Sequence, residues 1–431
     1  MSTISERIEE ITEGCMRLRM LPVDVPDVIT LHLSWPVPLA ASPREEILDQ
    51  TAVALLDRGA ARRDEEAVAA YLEDRGVELH FTCDSTRVRC QVRMLKRHLS
   101  DIIPLLVDCM TEPRMDASSM ESVSLRLRSN LMQARSRTAA RAGIGLRRQV
   151  FEPGHPEYAW EVDERLAELD IMTAEDVATW YRQRLLPALV HATIVGDVGA
   201  QHARQVSRGI SSGVGSGLEE FPRGERHAPD SGRTIPELSA AKPVRLHIPL
   251  ADRSNVDVRM GHGVDIRRRD EDYDALKTGV FALGGNFSAR LMATVRDRDG
   301  LTYGIGSTLS GVEPDWPGMW VTSLSLSAPD MSRGIDSALA EIRTFIRDGI
   351  SKTERQTVVG TLTGSARVQL GTTSGLARVL LRHLERGDPA SEIDAWPRRI
   401  EALTTERIND AVRTWLDVEK LHVISAGSTG H

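Results

Sequence analysis

MTAEDVATWYRQRLLPALVHATIVGD, residues 172–197, is matched by LTTERINDAVRTWLDVEKLHVISAGS, residues 403–428. Thr173 falls on Thr404, Val177 on Ile408, Leu185 on Leu416 and Gly196 on Gly427, at a constant offset of 231. Each copy reads as a threonine that caps a helix, an acidic first turn, a helical apolar period and a β-branched strand ending in glycine.

The match extends in both directions. RLRMLPVDVPDVITLHLSW (17–35) and RLHIPLADRSNVDVRMGHG (245–263) each read as strand, short turn, strand, the second run alternating apolar and polar residues in period two. LSDIIPLLVDCMTEPRMDASSMESV (99–123) and GIDSALAEIRTFIRDGISKTERQTV (334–358) each give one helix, a turn and the start of another. The chain is therefore two copies of one α+β unit, a repeat far longer than any solenoid period. Residues 206–243, rich in Gly, Ser, Pro and charge, read as a linker between a domain at 1–205 and a domain at 244–431. Each copy predicts a mostly antiparallel or mixed sheet with helices on one face. A groove between two such domains is a natural ligand site.

Composition removes several functions. A net charge of −8 and 4% aromatic residues supply neither a field for phosphate backbones nor stacking platforms, so nucleic acid is not expected as a partner. Cys15, Cys83, Cys90 and Cys109 match no metal or redox spacing and read as reduced, mostly buried thiols. The N-terminus has no apolar targeting core and no run of about 18 apolar residues occurs, so a soluble, cytoplasmic protein without membrane attachment is expected.

Motifs for chemistry are few. Gly209, Ser211 and Gly213 match a nucleophile elbow formally but fall in the linker, without the strand that mechanism needs. No phosphate-binding loop is found. No two histidines lie closer than nine residues, so no helix can offer an i, i+4 pair to zinc, and His32, His191, His247 and His422 read as strand histidines. From Ser122 to Phe151 the chain carries Arg126, Arg128, Arg135, Arg137, Arg141, Arg147 and Arg148 without an acid. This is a solvated helix pair or, in the sharper reading, a docking surface for an acidic partner.

One segment remains, ALGGNFSARLMATVRDRDGLTYGIGSTL, residues 282–309. Asn286 or Ser288 can cap a helix whose apolar positions Phe287, Leu291 and Val295 repeat every four residues, and Gly300 is placed to end it. Arg296 falls in the last turn and Tyr303 on the following strand. A guanidinium fork and a phenol can hold peptide carbonyls or a developing oxyanion. The plainer reading makes Tyr303 a core residue on the face of Leu301 and Ile305, and Arg296 a favourable charge at a helix C-terminus.

This segment resembles the C-terminal-half motif of the insulinase and mitochondrial-processing-peptidase (M16-type) family of metallopeptidases: an LGG, an S-x-R-L, an Arg, and a G-L-x-Y with the Arg seven residues before the Tyr. The resemblance implies two tandem α+β roll domains related by pseudo-twofold symmetry. It implies that Arg296 and Tyr303 grip substrate and help stabilise the tetrahedral intermediate. The family's N-terminal motif, H-x-x-E-H, supplies two zinc-ligating histidines and a general base, with a further Glu downstream. Here the register places Gln50–Ala54, QTAVA, over that motif, with neither histidine nor glutamate, and no other histidine in the chain fits it. The chain is thus expected to bind no metal or cofactor itself. In part of the family one subunit carries the zinc motif and its partner the Arg and Tyr, enclosing a peptide as an added strand. The resemblance implies that this chain is the arginine–tyrosine partner, active only beside a homologous zinc-bearing subunit, on short or unfolded peptides. Its rivals are a non-peptidase structural or peptide-binding protein, like the core subunits of respiratory complexes, and a homodimer with an irregular metal site.

Overall fold

The computed structural model of the chain describes residues 3–219 and 235–428. The fold is α+β and forms two compact units, each around its own sheet. The first holds strands β1 (Glu9–Glu13), β2 (Met16–Pro22), β3 (Val28–Pro36), β4 (Glu78–Cys83), β5 (Arg87–Leu95) and β6 (Val190–Gly196), in the order β1-β2-β6-β3-β5-β4. The second holds β7 (Arg245–Pro249), β8 (Asn255–Val264), β9 (Thr302–Ser310), β10 (Gly318–Ser327) and β11 (His422–Gly427), in the order β9-β10-β8-β11-β7.

The repeat read from the sequence is realised element by element. Thr173 and Thr404 both cap helices, accepting hydrogen bonds from Asp176 N and Arg407 N. The helices Ala174–Trp180 and Thr405–Trp415 then lead to β6 and β11. The two strand runs at the start of each copy do not pair with each other: the returning strand inserts between them, parallel to the first and antiparallel to the second. This insertion explains the repeated glycine. Gly196 and Gly427 have φ of +135° and +152°, and a Cβ there would stand 2.1 Å from Val28 O and 2.7 Å from Asn255 O.

Helices on one face is too simple. In β3 the apolar side chains Ile29, Leu31, Leu33 and Trp35 face the main core, yet Thr30, His32 and Ser34 on the other side are buried too. That polar side is covered by the helix Thr373–Glu385, which comes from the C-terminal half of the sequence. Thr30 and Thr373 share a hydroxyl hydrogen bond of 2.9 Å, Thr193 donates to Ala377 O at 3.0 Å, and Arg89 grips Glu385 through both carboxylate oxygens at 2.8 and 2.9 Å. Burial, with the Arg378 charge second, pushes His32 down to about 4, so it stays neutral in this layer.

The second unit repeats the device. The helix Thr138–Val150, from the N-terminal half, lies on β8 and β11. Thr138 donates to Asp257, and Leu146, Val150 and Phe151 join Met319, Val321 and Ile424 in one cluster. Each compact unit therefore takes one segment from the other half, and the boundaries 1–205 and 244–431 describe the duplication rather than the packed bodies.

The linker at 206–243 is also corrected. The helix Ala200–Glu219 continues through its first part, with Val206, Ile210 and Val214 buried. Its Gly209 and Gly213 lie against Ile103 and Val107, so small residues that resemble linker composition permit close helix packing. Gly209, Ser211 and Gly213 are consequently on a helix, and the elbow reading is lost. Residues 220–234 of the expected linker fall outside the described residues. Cys90 and Cys109 are buried and Cys15 and Cys83 half-buried, all as free thiols; burial pushes Cys109 up to about 12. Among the described residues no helix is long and apolar enough to cross a membrane.

The docking of Thr373–Glu385 on the first sheet has a direct test. Glu385→Ala leaves the partly buried Arg89 with Asp84 as its remaining carboxylate and is expected to destabilise the first unit by roughly 2 kcal/mol, whereas Arg89→Met with Glu385→Leu recovers most of the loss. Chemical denaturation of the three proteins checks it; a single variant as stable as the parent removes the helix from this role.

Candidate functional site

The helix Tyr273–Gly284 ends in the LGG of the motif, and its last glycine is a contact point. A Cβ on Gly284 would lie 2.4 Å from Ser307 N, so the helix end sits directly on the backbone of β9. Asn286, rather than Ser288, caps the next turn: its Oδ1 accepts from Ser288 N at 2.9 Å. The chain then enters the π-helical turn Met292–Arg298, which buries Met292 and Val295, and Gly300 at φ +65° closes it by donating to Arg296 O at 3.1 Å. Such wide turns often occur at functional sites.

A single helical period would pack Phe287 with Leu291 and Val295. Phe287 lies in the turn capped by Asn286, ahead of the helical residues, and is 76% exposed. Tyr303 departs further from the plainer reading, being 91% exposed. The cause is a β-bulge: Thr302 pairs with Leu326 and Gly304 with the adjacent Ser325, leaving Tyr303 as the extra residue. Thr302 fastens the bulge, donating to Ser325 O and accepting from Gly304 N at 3.2 Å. Period two breaks there, so Ile305 stays in the core while the phenol leaves it.

The three arginines of this segment divide by their partners. Arg290, in the S-x-R-L motif, donates to Glu354 Oε1 and Oε2 at 2.6 and 2.8 Å and to Gly349 O at 2.8 Å. That hydrogen-bonded guanidinium holds the Glu354 carboxyl down to about 2. Glu354 also forms a capping box with Ser351 at the start of the helix Lys352–Gln369. Arg298 pairs with Asp299, whose carboxyl is held at about 2 by that bond and by Ser337. Among the described residues no carboxylate pairs with Arg296, and no group bonds the Tyr303 hydroxyl. The Arg296 guanidinium carbon stands 5.9 Å from the Tyr303 ring centroid and 5.5 Å from that of Phe287. Cation–π attraction at such exposed sites is worth about 0.5–1 kcal/mol and uses no N–H donor, so the fork remains available to a ligand.

Gln50–Ala54 lies in the helix Pro43–Ala54, and its side chains do not fit zinc. Gln50 donates to Glu46 at 2.9 Å, Thr51 turns back to Ile47 O, and Val53, at the position of the family's glutamate, is 2% exposed. Among the described residues no group of three or more His, Cys, Asp or Glu could hold a metal ion. The sequence reading overlooks Asp49 next to that register, a buried carboxyl accepting from Trp180 Nε1 at 2.8 Å. Burial pushes it up to about 7. Only its place beside Ile47 and Leu48 hints at burial.

The arginine-rich run from Ser122 to Phe151 is not an open basic surface. Arg128 pairs with Asp170, Arg135 with Asp163, Arg141 and Arg148 with Glu161, and Arg147 with Glu157. The acids paired with these five of its seven arginines lie further along the same chain at 157–170, as the reading of a solvated helix pair expects.

Comparison with known proteins agrees with this architecture. Residues 172–362 match the family model described as the peptidase M16 inactive domain. A Helicobacter pylori protein named non-peptidase homolog YmxG is 19% identical over 372 residues, covering 85% of this chain and 81% of that protein. A crystal structure of a peptidase M16 inactive domain from Pseudomonas fluorescens superposes with a TM-score of 0.84 at 19% identity, over 98% of both chains. A protease from Helicobacter pylori superposes at 0.81 and 12% identity, over 97% of this chain and 99% of the other.

The division among the arginines predicts opposite outcomes for two similar substitutions. Arg290→Ala should cost about 1–3 kcal/mol, because it unties Glu354 and Gly349 O, and lower Tm by several degrees. Arg296→Ala should leave Tm within about a degree. Calorimetry of both variants decides whether Arg296 is free of structural duty; an equal loss would refute it.

Proposed function

We propose that the chain, whose residues 172–362 match the peptidase M16 inactive domain and whose Gln50–Ala54 lacks the zinc-motif residues, is a catalytically incomplete subunit of a heterodimeric zinc endopeptidase acting on short or unfolded peptides. The observation that carries this reading is the pair Arg296 and Tyr303, both free of partners among the described residues, with the phenol turned out by a bulge. Arg296 binds the carbonyl oxygen of an extended peptide and, as charge develops there, stabilises the oxyanion; Tyr303 donates the companion hydrogen bond. A homologous subunit with H-x-x-E-H supplies the metal, the base and the attacking water.

A second reading has its own support. The Helicobacter pylori relative carries the name of a non-peptidase homolog, so a peptide-binding or structural role without a peptidase partner is the alternative. The pair of exposed donors suits peptide binding in either reading, whereas a purely structural role uses neither.

A tagged pull-down from native lysate, with partner identification and zinc content, separates the two. The heterodimer reading expects a one-to-one partner carrying H-x-x-E-H and about one zinc per pair. In that complex Arg296→Ala removes a transition-state donor worth about 2–4 kcal/mol, lowering kcat roughly a hundredfold or more. A metal-free chain recovered alone or as a homodimer moves the assignment to the second reading, and an unchanged rate in the complex removes Arg296 from catalysis.

A further inference from the structure

The large apolar or aromatic side chains most exposed among the described residues are Leu125, Met132, Ile171, Leu246, Phe287, Tyr303 and Val368. Two are aromatic, in a chain with only six phenylalanines and five tyrosines, and both rings lie within 6 Å of the same unpaired guanidinium. Separate local devices hold them out. Phe287 lies in the turn capped by Asn286 Oδ1, and Tyr303 is the extra residue of the bulge in β9. Neither ring belongs to the core cluster formed by Leu291, Met292, Val295 and Ile305.

We propose that Phe287 is a specificity-determining residue of the Arg296 site: with the Tyr303 ring it forms an apolar seat that selects extended peptides bearing a large apolar side chain beside the carbonyl Arg296 holds. This rests on the peptide-binding role proposed for Arg296 and names the substrate class. The chemistry of the three groups is complementary. The rings attract the guanidinium through their faces and hold it in place without taking its N–H donors. A leucine, methionine or phenylalanine of the ligand then covers ring surface that water otherwise wets, and excluding that water strengthens the adjacent charge-assisted bond to the carbonyl. Serine at the same peptide position covers little of the rings and leaves the fork wet. Tyrosine and arginine are also among the side chains enriched where binding energy concentrates.

The test uses the full chain and two fluorescein-labelled, unstructured twelve-residue peptides, identical except for a central Phe or Ser, with binding read by fluorescence anisotropy. The wild-type chain is expected to prefer the Phe peptide about tenfold. Phe287→Ala should abolish most of that preference with little effect on the Ser peptide, Phe287→Tyr should keep it, and Arg296→Ala should weaken both peptides alike. Because Phe287 is exposed, its variants should melt with the parent, and Phe287→Tyr guards against a fold defect in Phe287→Ala. A preference unchanged in Phe287→Ala while Arg296→Ala still weakens both peptides overturns the selectivity and leaves the peptide-binding role standing. Loss of neither peptide in Arg296→Ala, or no binding of either by the wild type, overturns both.

Discussion

Each sheet of this chain buries both of its faces, the second of them a mixture of apolar and polar groups, and that requirement governs the architecture. Thr30, His32, Ser34 and Thr193 on the first sheet, and Asp257 on the second, are removed from water. A buried polar group without a partner costs about 1–3 kcal/mol, so a lid must offer hydrogen-bond partners as well as apolar contacts. The lids that cover them are helices beginning with a threonine, Thr373–Glu385 and Thr138–Val150, and their first residues bond Thr30 and Asp257 respectively. Both come from the opposite half of the sequence. Duplication therefore produced two similar sheets, but neither half of the chain encodes a finished unit, and a cut within 206–243 would deprive each sheet of its lid.

The Arg296 site is built on the rigid part of this frame. Gly284 brings the helix end onto the β9 backbone, Arg290 ties the next turn to the capped start of Lys352–Gln369, and Val295 locks the π-helical turn into the core. The groups that project from these fixed points are few and specific: one fork, one phenol and one phenyl ring. Preorganisation of this kind lets a donor act without losing much side-chain entropy when a ligand arrives.

The duplication, the strand and helix types, and the Arg–Tyr spacing are all legible in the sequence, because capping threonines, period-two runs and terminal glycines are local signals. Tertiary choices are not. The insertion of β6 between β2 and β3, and of β11 between β7 and β8, leaves no mark in either run. The burial of the polar sheet faces is invisible, since alternation reads the same whether the polar side meets water or a helix with hydroxyls. The plainer reading puts Tyr303 in the core because a one-residue bulge cannot be seen in TYGIG. Glycine and serine mask the helix through 206–219, although Val206, Ile210 and Val214 carry the period that a helix requires.

The two segments set against the M16-type motifs, Gln50–Ala54 and 282–309, have met different fates here, and the contrast bears on function. In the helix Pro43–Ala54 the polar side chains are absorbed by the fold: Gln50 bonds Glu46, Arg165 reaches Glu46, Arg184 approaches Glu45, and Asp49 accepts from Trp180. Arg296 has been given no such employment, although Arg290 and Arg298, within six residues of it, both found carboxylates. An exposed guanidinium beside two exposed rings adds little to stability, for surface interactions of this kind are worth about 1 kcal/mol at most. The fold would stand equally well with a polar residue at each of the three positions, so its own stability gives no reason for these side chains, whereas the proposed peptide ligand does.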